Sequence, residues 1–587
     1  MIIGIQIGDT SGCAVWDNNS IIFASSEERY TQKKNDSGFP EKSIVKAISE
    51  CKITPDKIEM IVLPSENISP IDFLTNRGGW SIEDYIEEEK KIWYPMLIKG
   101  DNVDCLEVFK NKAIRNDLYE KCIGATDQER VRLWNEWRID RVSDIFKVSR
   151  EKVKILNHEY CHAAYSMYGC ECEDYNNAMC FVYDGYGDNS NASVYIYEDG
   201  RINQVAKYSN FNIGRVYRYV TLLLGMKPNE HEFKVMGLAP YATEYIYRKP
   251  LEIFRKAYSF ENGKIIVDPD LKDNYFYFKE KFEGMRFDGI AGALQIWTEE
   301  MTKSLVDYWM SKYKKTICII SGGVALNIKA NMEIGKIERV KDLYVVGSAG
   351  DESLCIGAIY KYLDDTRENG VNSNKLPNLY LGDRIERDEV KKEIEKLDSS
   401  SFIIIEKPTA ELCAKKLSEG LILGRAVGKM EFGARALGNR SILADPRRQE
   451  TINIINRKIK SRDFWMPFTP SIMYEEKERY LDNPKGFKFP YMSIACETTE
   501  TGRQELQAAI HPADKTARPQ LVTREMNEAY YELLFAFKQI TGTGALLNTS
   551  LNIHGYPIAR NAKDAIRVLE NSDLDGMIFE DYLVLRK

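Results

Sequence analysis

Short apolar runs separated by polar, glycine-containing turns open the chain and predict antiparallel strands. Residues 2–7 (IIGIQI) are followed by the turn 8–12 (GDTSG), and CAVWDNNSIIFASSEE then gives a second strand, a turn and a third strand. The same succession of strand, Gly/Asp turn and strand returns at 179–197 (MCFVYDGYGDNSNASVYIY). Because such self-similarity is typical of a duplicated unit, we predict two copies of this pattern in the N-terminal part.

The pattern changes between about 66 and 150 to long charged segments with helical character. SIEDYIEEEKKIWYPMLI and DQERVRLWNEWRIDRVSDIF are the clearest examples. The tryptophans of this region are Trp80, Trp93, Trp134 and Trp137. Packing in a helical core is favoured for them, and a cap that offers aromatic faces to an acceptor molecule is the alternative.

A strand, a glycine pair and the start of a helix follow one another over 316–334 (TICIISGGVALNIKANMEI). Glycines between a strand and a helix are typical of a nucleotide or phosphate loop, although simple connections use them too. We therefore predict that Gly322, Gly323 and Asn327 bind a cofactor. In the turn of the second hairpin, Asp184 can meet a phosphate through a cation or act on a hydroxyl acceptor.

A polar stretch without periodicity, 364–378 (DDTRENGVNSNKLPN), divides the chain. Beyond it, β-rich runs such as SFIIIE and GMIFEDYLVL alternate with helical runs such as NEAYYELLFAFKQI, which is an α/β pattern. We predict an α/β protein with an N-terminal domain over 1–372 and a C-terminal domain over 373–587.

Composition and charge describe an ordinary protein with sizeable cores. Of 587 residues, 44% are hydrophobic and 29% are charged, and the formal net charge is −7. An acidic chain is a poor partner for nucleic acid or for an anionic membrane, so we expect neither. The N-terminal MIIGIQIGDTSG has no basic region and no long apolar run, so we expect a cytoplasmic protein without a signal peptide or a membrane span.

Two histidines one helical turn apart indicate a metal site. In HEYCHAAYSMYG, His158 and His162 are positions i and i+4, which places both rings on one helix face. Two packed or solvated imidazoles are the alternative. Asp351, in the loop SAGDES after the predicted strand DLYVV, supplies a third ligand. Two imidazoles and one carboxylate are typical of Fe(II) sites, and zinc uses the same ligands.

The stretch from 428 to 470 carries a dense group of cationic residues within an acidic chain. Arg435 and Arg440 flank Gly438 and Asn439, and two guanidinium groups in such a loop can bind phosphate or carboxylate in bidentate fashion. A solvated basic face is the alternative, because like charges usually lie in water.

The same stretch resembles a known family. GKMEFGARALGNRSIL is similar to GRMEFGPRALGNRSIL in the C-terminal domain of the carbamoyltransferases of the NodU/CmcH/TobZ type. HPADKTARPQ (511–520) and GTGALLNTSLNIHGYPI (542–558) resemble the HVDGTARPQ and NTSFN stretches of that family. Near the N-terminus, Glu27–Arg29, Lys34 and Phe39-Pro40 resemble its EERF…K…FP stretch.

The resemblance implies both a fold and an activity. The expected fold is a duplicated actin-like (ASKHA) domain over 1–372, with a helical insertion at about 66–150, and a YrdC-like α/β domain over 373–587. The C-terminal domain would form carbamoyl-adenylate from carbamoyl phosphate and ATP, with Mg2+ as a companion of ATP. The N-terminal domain would bind Fe2+ or another divalent metal and transfer the carbamoyl group to a hydroxyl of a small molecule, such as a natural product or a sugar.

Motif positions also imply roles for individual residues. The expected binders of carbamoyl phosphate, ATP and the adenylate are Arg435, Arg440, Lys460, Arg518, Asn548 and Ser550. The expected metal ligands are His158, His162 and Asp351. Arg435, Lys460 and Lys34 also have an expected catalytic role. Asp184 would be catalytic near the acceptor, and the charged cluster Glu27–Arg29 would line the transfer site.

Two residues depart from the family pattern. Asp9 stands where the family has the histidine of GHDAS or GHNAS, so a catalytic proton acceptor is retained but a group that stabilises negative charge is lost. Met466 stands where the family has the arginine of RPFAP. Losing one charge-assisted hydrogen bond to phosphate costs about 1.5 to 3 kcal/mol.

Three hypotheses follow. The first is the ATP-dependent O-carbamoyltransferase described above, whose partners are ATP, carbamoyl phosphate and a small-molecule acceptor. The second is an adenylate-forming transferase that uses a non-hydroxyl acceptor or another acid, and the third is a non-catalytic nucleotide-binding homologue. All three allow a homodimer.

Overall fold

The computed structural model describes residues 1–367, 376, 378–460 and 463–587. Within it the chain forms two units. The first comprises Met1–Glu28 and Asn35–Leu376, and the second comprises Arg29–Lys34 and Pro377–Lys587. The boundary expected between residues 372 and 373 lies outside the described residues, and the domain assignment stays a prediction. The segment Arg29–Lys34 belongs to the second unit although the sequence analysis placed it in the N-terminal domain.

The first unit contains two sheets with the same topology. Its strands are β1 (Ile2–Gln6), β2 (Gly12–Asp17), β3 (Ser20–Ser26), β4 (Met60–Pro64), β5 (Val153–Leu156), β6 (Ala178–Tyr183), β7 (Ala192–Glu198), β8 (Arg201–Tyr208), β9 (Tyr258–Glu261), β10 (Lys264–Val267), β11 (Ile317–Ser321) and β12 (Asp342–Val345). The sheet orders are β3-β2-β1-β4-β5 and β8-β7-β6-β11-β12. In both sheets the central strand is antiparallel to one neighbour and parallel to the other. Strand β1 is antiparallel to β2 and parallel to β4, and strand β6 is antiparallel to β7 and parallel to β11. The duplicated unit is confirmed at the level of sheet topology.

Helices connect the strands in both units. In chain order they are α1 (Glu28–Thr31), α2 (Glu41–Glu50), α3 (Ile71–Leu74), α4 (Ile82–Glu88), α5 (Cys105–Val108), α6 (Asp117–Cys122), α7 (Asp127–Phe146), α8 (His158–Gly169), α9 (Ile213–Leu223), α10 (Glu232–Leu238), α11 (Glu244–Ala257), α12 (Asn274–Lys281), α13 (Phe287–Tyr313), α14 (Ile328–Gly335), α15 (Leu354–Thr366), α16 (Arg387–Ile394), α17 (Ala410–Ser418), α18 (Glu450–Ile454), α19 (Lys477–Tyr480), α20 (Glu500–Glu505), α21 (Glu528–Thr541) and α22 (Ala562–Glu570). In the described part of the chain, no helix is both long and apolar enough to cross a membrane.

Two glycines allow α15 to pack closely between β1 and α8. A Cβ on Gly4 of β1 would lie 1.8 Å from the carbonyl oxygen of Cys355, and a Cβ on Gly357 would lie 2.2 Å from that of Cys161. All five residues of β1 are buried, so both faces of this strand contribute to the core. The close packing fixes α8, which carries the two histidines, against the rest of the unit.

The region between β4 and β5 is helical and contains α3 to α7. Trp80 and Trp134 are each 3% exposed and belong to hydrophobic clusters, against which Trp93 and Trp137 pack. The prediction that these tryptophans serve a helical core is therefore confirmed. Whether the region is an insertion relative to other proteins stays a prediction.

The second unit contains an eight-stranded mixed sheet and a small sheet of two strands. Its strands are β13 (Phe402–Glu406), β14 (Leu423–Ala426), β15 (Arg440–Ala444), β16 (Thr469–Met473), β17 (Leu481–Asp482), β18 (Glu497–Thr498), β19 (Gln520–Val522), β20 (Ala545–Ser550), β21 (Gly576–Ile578) and β22 (Tyr582–Arg586). The order of the eight-stranded sheet is β13-β22-β21-β14-β15-β20-β16-β19, and β17 and β18 form the small sheet. β20 is antiparallel to β15 and β16, and β19 is parallel to β16. The starts of β15, β16 and β19 therefore lie at the same end of the sheet as the last residues of β20.

Separate hydrophobic clusters line this sheet, one with α16 and α22 and another with α17 and α21. Helices on a mixed sheet in one unit, and helices with two mixed sheets in the other, confirm the α/β class. The designations actin-like and YrdC-like stay predictions.

Candidate functional site

Helix α8 presents two histidines to the interior of the first unit. It begins directly at His158, and the side chain of Asn157 caps it by accepting a hydrogen bond from the Tyr160 amide at 3.1 Å. His158 and His162 are both fully buried, and their ring centroids are 4.9 Å apart. The helical spacing expected from the sequence is confirmed.

Two carboxylates face these rings. Asp184 follows β6 directly, and Asp351 begins a short 3-10 turn after β12. His158 Nε2 lies 2.7 Å from Asp184 Oδ2, and His162 Nε2 lies 3.3 Å from Asp351 Oδ1. One ligand atom from each of the four side chains lies within 4.8 Å of all the others. We call these four residues the His/Asp cluster.

The fourth member of the cluster, Asp184, was expected near the acceptor and not among the metal ligands. Sheet topology explains its place, because β6, β11 and β12 are parallel and their carboxyl ends meet at one edge. Residues that follow β6 and β12 are therefore neighbours. In the sequence, Asp184 and Asp351 each follow a predicted strand. Their proximity could have been predicted only with the strand order, which periodicity alone does not give.

Several residues outside the expected set of metal ligands hold the cluster in place. Ser65 Oγ is hydrogen bonded to His158 Nδ1 at 2.9 Å. Asp188 Oδ2 accepts from the His158 amide at 2.7 Å, and Glu159 Oε1 accepts from the Ser190 amide at 2.9 Å. These bonds tie the turn after Asp184 to the start of α8. No spacing rule predicts them, because each bond joins segments that are distant in sequence.

The His/Asp cluster stabilises positive charge. Burial lowers the pKa of His158, but the carboxylates of Asp351 and Asp184 outweigh burial and raise the pKa to about 10. Burial alone would raise the pKa of Asp184, yet hydrogen bonds from both imidazoles hold it below its usual value. Among the described residues, His162 Nδ1 has no hydrogen-bond partner. Two imidazole nitrogens and two carboxylate oxygens are a donor set that fits Fe(II) or Zn(II).

Asp9 lies in the turn between β1 and β2, beside the same carboxylates. The backbone here has positive φ at Gly8 (119°) and Thr10 (49°), which tightens the turn, and Gln6 Nε2 donates to the Asp9 carbonyl at 3.1 Å. Asp9 is exposed, yet its protein-rich surroundings and the negative charges of Asp72 and Asp351 raise its pKa to about 7.

The glycine pair after β11 packs against the turn that carries Asp184. Gly322 has φ of 89°, and a Cβ there would lie 2.1 Å from the Tyr183 carbonyl oxygen. A Cβ on Gly323 would lie 3.2 Å from Asp184 Oδ1. Both glycines therefore lie next to the cluster, as their expected role near a phosphate requires.

Asn327 has a structural role that differs from the cofactor contact expected of it. Its Oδ1 accepts from the Ala330 amide at 3.0 Å and caps α14. The same side chain exchanges two hydrogen bonds with the amide of Gln295, at 2.9 and 3.0 Å. Because both polar atoms already have partners, these contacts explain the residue without a ligand.

In the second unit, residues 428–439 connect β14 to β15, and we call them the arginine loop. Glu431 is 1% exposed and organises this loop from inside. Its Oε1 accepts from the amides of Leu437 (2.7 Å), Asn439 (3.1 Å) and Arg440 (3.1 Å). The sequence analysis did not identify Glu431, since an acidic residue in a cationic stretch has no distinguishing pattern.

Side chains from other strands hold the opposite side of the arginine loop. Asn548 Nδ2 donates to the Ala436 carbonyl at 3.1 Å, and Gln520 Nε2 donates to the Leu437 carbonyl at 2.9 Å. Arg425 Nη1 donates to the Gly438 carbonyl at 2.6 Å. The main chain directly after Arg435 is therefore fixed, and half-buried Arg435 projects from a rigid support.

Arg440 has a structural role in this arrangement, and its expected contact with the phosphate or the adenylate stays a prediction. It is fully buried, and its guanidinium donates to the carbonyls of Val427 (2.9 Å), Gly428 (3.1 Å) and Arg560 (2.9 Å). Burial lowers its pKa to about 10 despite the nearby carboxylate of Glu431. The structural role follows from the hydrogen bonds between its N–H groups and the backbone.

Other expected binding residues lie at the same end of the sheet. Lys460 is 4% exposed, and its Nζ is 3.0 Å from the Asn552 carbonyl and 3.3 Å from Ser550 Oγ. Asn548 and Ser550 lie near the end of β20, and half-buried Arg518 lies two residues before β19. The second unit thus brings these residues together with the arginine loop.

The charged cluster near residue 28 is divided. Glu27 accepts from the amides of Lys42 (3.0 Å) and Ser43 (2.7 Å), so it caps α2 in the first unit. Arg29 and Lys34 belong to the second unit. Glu27 and Arg29 thus belong to different units, and the expectation that Glu27–Arg29 lines the transfer site stays a prediction.

Comparison with known proteins identifies a family for both parts of the chain. The family description "Carbamoyltransferase N-terminus" matches residues 1–360, and "Carbamoyltransferase C-terminus" matches residues 414–586. An uncharacterized protein of Methanocaldococcus jannaschii is 30% identical over 100% of this chain and 99% of its own length. The 3'-hydroxymethylcephem-O-carbamoyltransferase of Streptomyces clavuligerus is 27% identical over 45% of this chain and 47% of its own length.

A comparison with solved structures gives weaker likenesses. Component A of the (R)-2-hydroxyglutaryl-CoA dehydratase of Acidaminococcus fermentans aligns with 62% of this chain and 97% of its own length. The TM-score is 0.31 and the sequence identity is 11%. A likeness of this size supports no conclusion about fold or function.

Proposed function

The chain belongs to the carbamoyltransferase family, and we propose that it is an ATP-dependent O-carbamoyltransferase with a small-molecule acceptor. The second unit would make carbamoyl-adenylate from carbamoyl phosphate and ATP. The first unit would transfer the carbamoyl group to an acceptor hydroxyl. The acceptor hydroxyl is proposed by analogy with the O-carbamoyltransferase among the relatives.

The observation that carries this proposal is the group of cationic side chains at and around the arginine loop, two of which, Arg425 and Arg440, are buried. Arg425 and Arg440 are buried against neutral oxygens of the backbone and of Asn439, and burial lowers the pKa of both. A guanidinium that bonds only to carbonyl dipoles keeps its full charge. Such charge at one end of a sheet favours a triphosphate or carbamoyl phosphate, and rigid cationic donors are the main need of an adenylation reaction.

Adenylation is proposed as two balanced steps. Water first cleaves carbamoyl phosphate to inorganic phosphate and carbamate. A carbamate oxygen then attacks the α-phosphorus of ATP, a new P–O bond forms, and pyrophosphate leaves. Arg435, Lys460 and Arg518 would bind the phosphoryl oxygens and neutralise the charge that keeps the two anions apart. Mg2+ would accompany the triphosphate, since it prefers oxygen ligands.

The His/Asp cluster would hold a divalent metal in the first unit through His158, His162, Asp184 and Asp351. When bound, the metal would supply Lewis-acid polarisation of an acyl oxygen. Asp184 is thus assigned to the metal and not to the acceptor. Ser65 keeps the His158 ring in one orientation from its other nitrogen, as outer partners of metal-bound histidines do.

Asp9 is proposed as the group that takes the proton of the acceptor hydroxyl. The acceptor oxygen would attack the carbamoyl carbon, its proton would move to the Asp9 carboxylate, and AMP would leave. The pKa of Asp9, about 7, is close to the usual value of a histidine, roughly 6.5. A base whose pKa is near the working pH transfers protons well. An aspartate at this position therefore preserves the proton acceptor of the family histidine.

Exchange of labelled pyrophosphate into ATP that depends on carbamoyl phosphate tests the first half of the reaction. We expect exchange in the wild type and its loss in Arg518→Ala. Arg503→Ala, which removes an exposed arginine of α20, is the matched control and should exchange normally. Exchange with another small acid only would favour the second hypothesis, and no exchange with any acid would favour the non-catalytic homologue.

Intact-mass screening of hydroxyl compounds for a carbamoyl adduct tests the second half. Once an acceptor is found, Asp9→Asn should keep pyrophosphate exchange and slow transfer by about 100-fold or more, the usual contribution of a general base. Normal transfer by Asp9→Asn would remove Asp9 from the mechanism.

A further inference from the structure

Residues Arg29–Lys34 form a short excursion of the N-terminal chain that belongs to the second unit. The residues on either side, Glu28 and Asn35, belong to the first unit, and the Asn35 amide donates to Glu28 Oε2 at 2.9 Å. This bond closes the base of the excursion. The excursion therefore leaves and re-enters the first unit at nearly one point.

Arg29 is the most buried residue of the excursion, with 2% of its surface exposed. Its Nη2 donates to the Gly433 carbonyl at 2.5 Å, and its Nη1 is 3.4 Å from the Ile558 carbonyl. Gly433 lies in the arginine loop, where its φ of 99° favours glycine, and it precedes Arg435 by two residues. One guanidinium thus contacts the loop that carries Arg435 and a second loop.

The second loop comprises residues 551–560, and we call it the β20 loop. It supports Lys460, because Lys460 Nζ lies 3.0 Å from the Asn552 carbonyl. The Ala559 amide donates to the Leu551 carbonyl at 2.8 Å and closes this loop on itself. Arg435 and Lys460, two of the cations expected to be catalytic in the second unit, are therefore supported by the two loops that Arg29 joins.

A second residue of the excursion reinforces this connection. Tyr30 donates from its hydroxyl to Asp383 Oδ1 at 2.7 Å, and Arg560 Nη1 is 2.7 Å from Asp383 Oδ2. The Arg560 guanidinium also lies over the Tyr30 ring, 4.9 Å from its centroid. The end of the β20 loop is thereby held against the excursion, next to the Arg560 carbonyl that accepts from Arg440.

We propose that Arg29 is a positioning residue of the adenylate-forming site, which it completes by joining the arginine loop to the β20 loop. The proposal rests on the proposed function of the second unit. Arg29 would act through Gly433 and Ile558 and would not touch the substrates. The adenylating site would then depend on a residue that is far from the C-terminal part in sequence.

Kinetics of the exchange reaction in the full-length protein provide the first test. We expect Arg29→Ala to lower the maximal rate by about 100-fold, the effect of a displacement near 1 Å at a reacting centre, while the KM for ATP changes little. Arg29→Lys keeps the charge but lacks the planar fork, and an intermediate rate is expected. Lys33→Ala, an exposed residue of the same excursion, is the matched control and should behave as the wild type.

Chemical rescue distinguishes positioning from loss of the fold. Guanidinium at millimolar concentration should restore part of the exchange rate in Arg29→Ala and should leave Lys33→Ala unchanged. An unchanged rate in Arg29→Ala would overturn the proposal. So would a rate that falls in proportion to the unfolded fraction and does not respond to guanidinium.

Hydrogen exchange measured by mass spectrometry is a test that does not need activity. Amides of residues 428–439 and 551–560 should exchange faster in Arg29→Ala than in the wild type or Lys33→Ala, because both loops lose a common anchor. Unchanged protection of both loops would overturn the inference by itself. Absence of pyrophosphate exchange in the wild type would instead remove the proposed function.

Discussion

The His/Asp cluster and the arginine loop differ in the charge that surrounds their cationic groups. Two pKa values near 10, reached from opposite directions, show this difference. His158 reaches about 10 because carboxylates raise its pKa, whereas Arg440 falls to about 10 because burial lowers its pKa. In the first case surplus negative charge stabilises a cation. In the second, the buried guanidinium donates to backbone carbonyls, and we expect the region to bind an anion. The comparison teaches that carboxylates facing imidazoles raise the pKa of the imidazole, whereas burial against backbone carbonyls lowers the pKa of a guanidinium.

The two regions also differ in what supports the functional groups. The His/Asp cluster consists of side chains that contact one another, so each member would be a ligand. Around the arginine loop the buried groups Glu431, Arg425 and Arg440 bond mainly to backbone atoms. A substitution in the His/Asp cluster should therefore remove a metal ligand. A substitution around the arginine loop should remove either a residue that holds the loop or a residue that contacts the anion.

The largest effect is expected where buried support is removed, in Arg440→Met. Several carbonyl groups would be left without donors, which should lower the free energy of unfolding by at least about 3 kcal/mol. For a unit of this size the melting temperature should fall by roughly 6–12 °C. Thermal unfolding measures this, with Arg503→Met as the exposed control. A stability equal to that of the wild type would contradict the structural role of Arg440.

Arg435→Ala should separate contact from support within the same loop. We expect the exchange rate to fall by about 100–1000-fold, as when one donor to a developing charge is lost. The melting temperature and the metal content should stay at wild-type values, since Arg435 is half-buried and the main chain next to it is fixed by other residues. A normal exchange rate would contradict the anion site, and reduced stability would contradict the distinction drawn here.

Asp184→Asn tests whether the His/Asp cluster binds a metal through Asp184. A neutral amide replaces a carboxylate that faces both imidazoles, so metal affinity should fall by about 100-fold or more, beyond the usual effect of an outer partner. Competition with a chelator measures the affinity. Asp199→Asn, at an exposed turn with positive φ that Asn tolerates, is the control. Retention of wild-type affinity would exclude Asp184 as a ligand.

The smallest effect is expected from pH. Because the pKa of His158 is about 10 without metal, a proton must leave before metal binds, and affinity should rise by about tenfold per pH unit between pH 6.5 and 8.5. The stability of the metal-free fold depends on pH in the opposite direction. The raised pKa stabilises the metal-free fold below about pH 6.5, and this stabilisation is lost as pH rises towards 10. Affinity that is independent of pH would contradict the charge balance of the cluster.

Much of the fold could be predicted because local patterns are strong in this chain. The continuous apolar run of β1 and the repeat of its hairpin around Asp184 predicted a duplicated unit, and the sheet orders confirm it. The i, i+4 histidines predicted a shared helix face, and Asp351 does lie opposite them. These predictions succeeded because helical and strand periodicity depend on neighbouring residues alone.

The features that the sequence did not predict have a common cause. Arg435 and Arg440 look alike in sequence, yet one is half-buried and the other has its guanidinium committed to carbonyls from distant segments. Glu27 and Arg29 are two positions apart but serve different units. Burial and hydrogen-bond partners are set by contacts between segments far apart in the chain, and no local pattern encodes them.

The sequence by itself determined the α/β class, the positions of the histidines and the cationic stretch, since composition and short-range periodicity carry that information. Only the tertiary structure decided that Asp184 joins the cluster, that Arg440 is buried and that Arg29 joins two loops of the second unit. The physical reason is that electrostatic and hydrogen-bond energies depend on distance in space. Chain folding brings together residues separated by hundreds of positions, as it does Arg29 and Gly433.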